Sequence, residues 1–255
     1  MGQGIAGSRR ARGAARGRLF VGTSGFHYAH WRGVFYPREL PAREWFAHYA
    51  QRFDTVEVNN TFHRLPEASV FDAWRERAPV GFCYALKFSR YGSHMKRLRT
   101  PRATIRRFLT GAERLGDRLG PILVQLPPNW RADPARLAAF LDAVPRRRRC
   151  SVEFRDPSWL VDASFDVLRR HRAALCIHDL IDDHPRELTS DWAYLRFHGV
   201  GYGGSYPSQA LVAWARRIRG WLARGWDVYA YFNNDREGHA VANAATLRRY
   251  VLGSG

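Results

Sequence analysis

The sequence predicts an α/β fold, a single (β/α)8 barrel with parallel strands in which the sixth helix is short or missing. Short β-branched or aromatic runs alternate with longer amphipathic stretches, and eight such units, or nearly eight, follow one another. Strands that each need a helical crossover form a parallel sheet covered by helices. Because no Gly/Ser-rich linker divides the 255 residues, one barrel domain is the simplest arrangement, with a doubly wound open sheet as the alternative.

The predicted elements follow from local patterns. The strand candidates are short runs bounded by turn residues, at 18–22, 55–59, 82–88, 122–126, 150–154, 174–178, 192–197 and 227–232. Helix start signals include Thr100-Pro101 and Asp133-Pro134, where a capping residue precedes a proline whose missing N–H is tolerated in the first turn. The predicted helices span 41–52, 67–77, 101–119, 134–143, 158–170, 207–224 and 239–252. Residues 180–191 are too few and too polar for a full helix.

The first 18 residues form a separate basic segment. They contain five arginines and no acidic residue, and they lack the apolar stretch of a signal peptide. We predict a disordered basic arm over residues 1–18 and the barrel domain over residues 19–255. The whole chain carries a formal net charge of +18, which favours an anionic partner such as a nucleic acid or a phosphorylated metabolite.

Cysteine use and hydropathy predict a reducing compartment and no membrane span. Cys83, Cys150 and Cys176 are widely spaced and odd in number, and each lies in an apolar run. They therefore predict buried thiols in place of disulfides, and a cytoplasmic location. No run of about 18 apolar residues is present, so no transmembrane helix is predicted.

Polar side chains gather at the carboxyl ends of the predicted strands. In 55–59 the two valines must face the helices, so the alternation of a strand turns Glu57 and Asn59 toward the barrel axis. The same test on the other strands turns these residues inward: Lys87, Gln125, Glu153, Arg155, His178, Arg196, His198 and Asn233. Because barrel active sites lie at this end of the sheet, a ligand site is predicted there. A self-contained salt-bridge network, with Glu57 bound to Lys87 and Glu153 bound to Arg155 or Arg196, is the alternative.

Seven sequence blocks, in order along the chain, resemble one protein family. They are 22–28 (GTSGFHY) with Trp31 and 35–37 (FYP), 56–62 (VEVNNTF), 87–88 (KF) with His94, 125–128 (QLPP), 152–155 (VEFR) with 157–159 (PSW), 196–199 (RFHG) and 231–234 (YFNN). On these blocks the chain resembles the YecE-like proteins, the domain-of-unknown-function family numbered seventy-two, over about residues 19–252. The resemblance implies a TIM-like barrel and supplies no reaction.

The inward residues divide into candidate catalytic and candidate binding groups. Glu57 and Glu153 are the candidate acid and base, and Lys87 and His198 complete the predicted catalytic set. The predicted substrate-binding residues carry amide, guanidinium or aromatic groups: Asn59, Gln125, Arg155, Arg196, Asn233, Tyr28 and Trp31. A Gly-rich loop, 199–205, follows the seventh strand, where barrels often hold phosphate.

The expected function is that of an enzyme, of hydrolase type, acting on a phosphate-bearing or otherwise anionic substrate such as a nucleotide or nucleic acid. Two alternatives stay open. A metal-free glycoside hydrolase would use Glu57 and Glu153 as its carboxylate pair, whereas a noncatalytic module would bind nucleic acid or another anion without turnover. The sequence has no cofactor motif and no local pair of metal ligands, so neither a cofactor nor a metal is predicted.

Overall fold

Eight parallel strands form the centre of the protein in the computed structural model, which describes residues 16–253. They are β1 Leu19–Thr23, β2 Thr55–Val58, β3 Cys83–Lys87, β4 Leu119–Gln125, β5 Cys150–Glu153, β6 Ala174–His178, β7 Trp192–Phe197 and β8 Asp227–Phe232. All eight predicted strands are present, with ends that differ from the prediction by at most three residues.

The sheet is a nearly closed barrel. Hydrogen-bonded neighbours follow the order β1-β8-β7-β6-β5-β4-β3-β2. β1 and β2 meet at the carboxyl end of the sheet, where Ser24 pairs with Glu57 and Gly25 N donates to Glu57 O over 2.8 Å. The predicted (β/α)8 barrel is therefore confirmed, and the open-sheet alternative is wrong.

Helices cover the outside of the barrel. They are α1 Trp45–Ala50, α2 Asn60–His63, α3 Ala68–Arg77, α4 Pro101–Ala112, α5 Pro134–Asp142, α6 Asp162–His171, α7 Ser208–Ala223 and α8 His239–Leu252. Residues 179–191 connect β6 to β7 through turns and bends, so the predicted absence of a full helix there is confirmed.

Two helices differ most from the prediction. The predicted helix 101–119 is α-helical up to Ala112 and continues as a 3-10 segment, Glu113–Arg118, which the non-helical backbone of Gly116 (φ 57°, ψ −123°) interrupts. The sequence does not predict the four-residue helix α2, which follows β2 directly. Thr61 Oγ1 donates to Lys87 O over 2.7 Å and attaches this helix to the end of β3.

Two buried hydrophobic layers surround and fill the barrel. Val56 and Val58 pack toward the helices, which confirms the predicted strand phase and the inward direction of Glu57. The second layer fills the barrel interior below the polar residues: Phe20, Cys83, Ala85, Leu123, Ala174, Cys176, Trp192, Tyr194, Tyr229 and Tyr231. The three cysteines are free and buried, as predicted. Polar inward side chains are therefore concentrated at the carboxyl ends of the strands, which we call the mouth.

The amino end of the described chain is attached to the barrel. Gly17 N donates to Leu222 O over 2.9 Å, and Arg18 N donates to Asp227 Oδ1 over 2.7 Å. Residues 1–15 of the predicted basic arm lie outside the described residues. Within residues 16–253, no helix is both long enough and apolar enough to cross a membrane.

Gly22 lies in β1 where the barrel closes against β2. A Cβ at this position would come within 2.2 Å of Thr55 O and within 2.9 Å of Tyr49 Oη. The backbone of a neighbouring strand cannot move away without opening the barrel. We predict that Gly22→Ala lowers the free energy of unfolding by about 3 kcal/mol or more, measured by urea unfolding followed by circular dichroism.

Gly220, in helix α7, provides the matched control. No atom lies within 4 Å of a Cβ built at this position. Alanine is favoured over glycine inside a helix by roughly 0.5–1 kcal/mol, so Gly220→Ala should leave stability unchanged or raise it. Equal urea midpoints for the two variants would contradict the steric role of Gly22.

Candidate functional site

Two buried carboxylates lie on either side of one guanidinium at the mouth. Arg196, 2% exposed, donates from Nη2 to Glu57 Oε1 over 2.8 Å and from Nη1 to Glu153 Oε2 over 2.7 Å. Arg155, which follows β5, donates from Nε to the other oxygen of Glu153. We call these four residues, Glu57, Glu153, Arg155 and Arg196, the ion cluster. Its two positive and two negative charges make it neutral.

Glu57 is surrounded by hydrogen-bond donors. Besides Arg196, its carboxylate accepts hydrogen bonds from Ser24 Oγ and from Tyr194 Oη, the latter over 2.7 Å. Burial alone would raise the pKa of Glu57, but the charge of Arg196 and these hydrogen bonds outweigh burial and lower it. Glu57 is therefore ionised at neutral pH and has no proton to donate.

Glu153 is held in the same ionised state. Burial opposes ionisation, but the charges of Arg196 and Arg155 hold the pKa of Glu153 well below its usual range. The expected contacts of Glu153 with the two arginines are present. The expected pairing of Glu57 with Lys87 is wrong, because Glu57 pairs with Arg196 on β7.

Lys87 differs from the other inward cations because no carboxylate of the described residues forms an ion pair with it. Its Nζ lies 4.3 Å from the centre of the Phe62 ring, a cation–π contact supplied by α2. Burial, and then the charge of Arg196, lower the pKa of Lys87 to about 8. The neutral ion cluster thus leaves the charge of Lys87 unbalanced.

His94, in the π-helical turn Tyr91–Met95 after β3, lies near several positive charges. Its ring centre is 5.0 Å from that of Phe62, the ring that Lys87 also contacts. Burial and nearby positive charges lower the pKa of His94 to about 4. Those charges belong to Lys87, Arg90 and Arg155. His94 is therefore neutral at physiological pH.

His198 follows β7 and is held by Asp179. Its backbone N donates to Asp179 Oδ1 over 2.9 Å, and its Nδ1 lies 3.1 Å from the same oxygen. Burial would raise the pKa of Asp179, but hydrogen bonds from His198 and Tyr206 outweigh it and lower the pKa. His198 is buried, and its Nε2 lies 3.4 Å from Arg196 Nη1. The ring therefore faces the ion cluster.

The Gly-rich loop after β7 is closed on itself. Val200 and Gly204 form an antiparallel bridge, and Asn234 Nδ2 donates to Gly204 O over 3.0 Å. Four backbone N–H groups of the loop donate within it or to the residues that flank it: those of Gly199, Tyr202, Gly203 and Gly204. The N–H of Tyr206 donates to Asn243 Oδ1 on α8. Four of the seven N–H groups of loop 199–205 therefore have an acceptor, and phosphate binding by this loop stays a prediction.

Other predicted binding residues lie around the mouth. Gln125 Oε1 is 3.5 Å from Arg155 Nη2, and Tyr28 Oη donates to Ser24 O over 2.6 Å. Asn59 Oδ1 is buried without a partner among the described residues. Asn233 is half-buried at the end of β8, where its backbone N donates to Phe197 O.

Two further residues of the sequence analysis, Trp31 and His178, are held by hydrogen bonds inside the protein. Trp31 is 0% exposed, and its Nε1 donates to Asp235 O over 2.9 Å, which corrects its expected place on the substrate surface. His178 contacts Phe154 O through Nε2 and accepts from Leu180 N through Nδ1, so both ring nitrogens are occupied. Among the described residues, no three His, Cys, Asp or Glu side chains are placed to hold a metal ion together.

The family follows from comparison of the whole barrel sequence. The family described as "Protein of unknown function DUF72" matches residues 20–254. The chain belongs to the DUF72 family. The predicted resemblance is therefore confirmed, and family membership leaves the activity open. No curated protein matches this DUF72 chain.

Solved DUF72 structures have the same fold. The DUF72 family protein TM1631 from Thermotoga maritima MSB8 superposes with a TM-score of 0.82 at 26% identity, covering 92% of this chain and 100% of its own. The DUF72 family protein EF0366 from Enterococcus faecalis V583 superposes with a TM-score of 0.75 at 18% identity, covering 93% of this chain and 96% of its own. At that identity, the second comparison supports the fold alone.

Three residues that support the site in this DUF72 protein are absent from the predicted set: Ser24, Asp179 and Tyr194. Tyr194 shares its strand face with Arg196, so the alternation of side chains along β7 could have placed Tyr194 inward as well. Composition contained another signal. Of the 41 basic residues, lysine occurs at positions 87 and 96 alone, so Lys87 departs from a general use of arginine.

Arg196→Met would leave two ionised carboxylates buried without their shared counter-charge. Removing one partner of a buried ion pair lowers the free energy of unfolding by about 3–5 kcal/mol. We expect a loss of at least this size in urea unfolding at neutral pH. The loss should shrink as the pH falls, because protonation of Glu57 and Glu153 then removes the uncompensated charges.

Arg114→Met is the matched control, since Arg114 pairs with Asp72 on the exposed surface. Its removal should change stability little, because solvent screens such pairs. An Arg196→Met variant as stable as the wild-type protein would show that the ion cluster does not hold the mouth together.

Proposed function

We propose that this DUF72 protein is an enzyme whose mouth binds a small phosphate- or carboxylate-bearing substrate and transfers a proton to or from it. The observation that carries the proposal is the unbalanced charge of Lys87 at the carboxyl end of β3. The neighbouring ion cluster satisfies its own charges, so an anion that enters the mouth finds Lys87 without a competing carboxylate partner among the described residues.

Three neighbouring strand ends supply the binding groups. Lys87 ends β3, Gln125 ends β4 and Arg155 follows β5, so their side chains lie along one arc of the mouth. The side chain of Arg155 is 22% exposed, which leaves part of its guanidinium accessible. An ammonium and a guanidinium together suit a phosphate or carboxylate group. After burial, the charges of Lys87, Arg90 and Arg155 contribute to the lowered pKa of His94, which is in line with a positive potential in this arc.

Lys87 is also suited to proton transfer. A general acid or base is most effective when its pKa lies near the working pH, and the pKa of Lys87, about 8, meets this condition. His94 supplies a neutral imidazole beside the same phenyl ring. Arg155 has no such role, because a guanidinium stays protonated in proteins.

The predicted catalytic roles of three other residues change in this proposal. Glu57 and Glu153 fix Arg196, and their lowered pKa values leave neither with a proton to donate. His198 faces Arg196 and becomes a positioning residue. A glycoside hydrolase needs one carboxylic acid that stays protonated at the working pH, so the ion cluster gives that alternative less support.

Sulfate binding tests the anion site. Affinity should be highest near neutral pH and should fall as the pH rises through about 8, because Lys87 then loses its charge. A lysine with an ordinary pKa of about 10.4 would keep its affinity to about pH 10. Isothermal titration calorimetry at constant ionic strength measures this directly, since sulfate keeps its charge over the whole range.

Lys87→Met should weaken sulfate binding by about tenfold or more and remove its pH dependence, in line with the loss of a hydrogen bond to a charged group. Lys96→Met is the matched control, because it removes the chain's other lysine, which is exposed. Sulfate binding that is equally strong in Lys87→Met and the wild-type protein would contradict the site.

Turnover separates an enzyme from a noncatalytic module. A screen with p-nitrophenyl phosphate, bis(p-nitrophenyl) phosphate and p-nitrophenyl glycosides covers the hydrolase classes considered. For a substrate that is turned over, Lys87→Arg keeps the charge but not the titration, so KM should change little while kcat falls by about 10²–10⁴. Unchanged kcat in Lys87→Arg would remove the proton-transfer role, and sulfate binding without any turnover would favour the module.

A further inference from the structure

A basic cleft lies at the end of the barrel opposite the mouth. Its volume is about 310 Å³, and the α5–β5 connection, the end of α6 and the start of β7 line it. Its arginines are Arg146, Arg147, Arg148, Arg149, Arg170 and Arg172. Asp142 and Asp191 are the acidic residues of its lining. The cleft therefore carries a larger excess of positive charge than the mouth, where the ion cluster is neutral and Lys87 alone is unbalanced.

Half of these arginines have no counter-ion within the described residues. Arg146, Arg170 and Arg172 are exposed and form no ion pair there, and Asp142 is bound by His171. The other arginines are paired: Arg147 and Arg148 with Glu113, and Arg149 with Asp227. Like charges gathered on one concave surface raise the electrostatic free energy of the unbound protein, and an anionic partner lowers it.

Residues 16–18, at the amino end of the described chain, join the same face. Arg18 N donates to Asp227 Oδ1 over 2.7 Å, and Arg149 Nη1 donates to Asp227 Oδ2 over 2.6 Å. One carboxylate thus connects the start of β1 to an arginine that lines the cleft. The sequence before Arg18 adds arginines at positions 9, 10, 12 and 16 and no acidic residue.

We infer that this face binds the phosphate backbone of a nucleic acid, independently of the mouth and of the function proposed for it. Guanidinium groups bind phosphate oxygens through paired N–H donors, and their neutralisation of phosphates releases counterions. The arginines belong to separate chain segments around 146–149, 170–172 and 16–18, so they suit an extended polyanion better than one small ion. This spread over three segments decides between the two kinds of partner.

The face contacts the backbone and not the bases. The exposed aromatic side chains of the described residues, Tyr91 and Tyr202, follow β3 and β7 on the side of the mouth, so the basic face lacks an exposed ring for stacking on bases. Phosphate contacts fix position and carry no direct sequence information. Binding is therefore strongly dependent on salt and little dependent on sequence.

Fluorescence anisotropy tests the inference: a labelled DNA duplex of about 20 base pairs is titrated with the full chain at several salt concentrations. The test variant combines Arg146→Gln, Arg170→Gln and Arg172→Gln. The slope of log affinity against log salt should become shallower by about 2.7, because each phosphate contact contributes about 0.9. Affinity at low salt should fall by about tenfold or more. A substitution at Arg172 also acts on a left-handed backbone position, with a φ of 53°. A double variant at positions 146 and 170 avoids this position and provides a second measurement, with an expected change in slope of about 1.8.

A matched control removes three exposed arginines from the outer helices: Arg102→Gln, Arg106→Gln and Arg216→Gln. Its net charge changes equally, and its slope should stay close to that of the wild-type protein. Equal weakening by both triple variants, with unchanged circular dichroism spectra, would show that bulk charge governs binding and would overturn the inference. Absence of duplex binding at low salt would also overturn it. Displacement of the duplex by equimolar inorganic tripolyphosphate would assign the cleft to a small anion instead.

Discussion

The guanidinium of Arg196 lies between two fully buried carboxylates, and the upper half of the barrel is arranged around it. Each carboxylate, alone in this interior, would be strongly disfavoured in its charged form. One arginine with donors on three nitrogens satisfies both, and Ser24 and Tyr194 complete the shell of Glu57. These contacts connect β1, β2, β5 and β7 across the mouth. The same interaction therefore fixes the geometry of this end of the barrel and keeps its two buried carboxylates ionised, so that neither can donate a proton.

The difference between lysine and arginine then divides the charges of the mouth into fixed and titratable ones. Arginine keeps its proton at any physiological pH, so the arginines of the ion cluster hold a fixed arrangement of charges. Lysine loses its proton readily when buried, and Lys87 is one of two lysines in the chain. In the proposed function, Lys87 is a titratable cation beside the neutral ion cluster and combines anion binding with proton transfer. Three arginines of the opposite face, Arg146, Arg170 and Arg172, are exposed and have no ion-pair partner among the described residues, and this face accounts for more of the net charge of +18 than the mouth does.

Side chains alternate in direction along each strand, and this alternation made much of the site predictable. Once the valines of β2 face the helices, Glu57 must face inward, and the same constraint places Lys87, Glu153 and Arg196. What the sequence could not show is which charges pair, because pairing depends on the distances across the barrel. Glu57 was therefore expected to pair with Lys87 on the neighbouring strand, whereas its partner in the structure is Arg196. Loop residues were less predictable for a related reason. The burial of Trp31 depends on an acceptor, Asp235 O, more than 200 positions away in sequence.

The pKa of the Lys87 ammonium group tests the central claim most directly. In protein labelled with ¹³C at the lysine Cε, two lysine signals are expected because the chain contains two lysines, and Lys87→Arg assigns them. A Lys87 signal that titrates near pH 8 is the predicted result, since it requires a partly buried lysine whose charge no carboxylate balances. A Lys87 signal that titrates at the ordinary lysine value of about 10.4 would contradict the account, because the mouth would then hold no unbalanced, titratable cation.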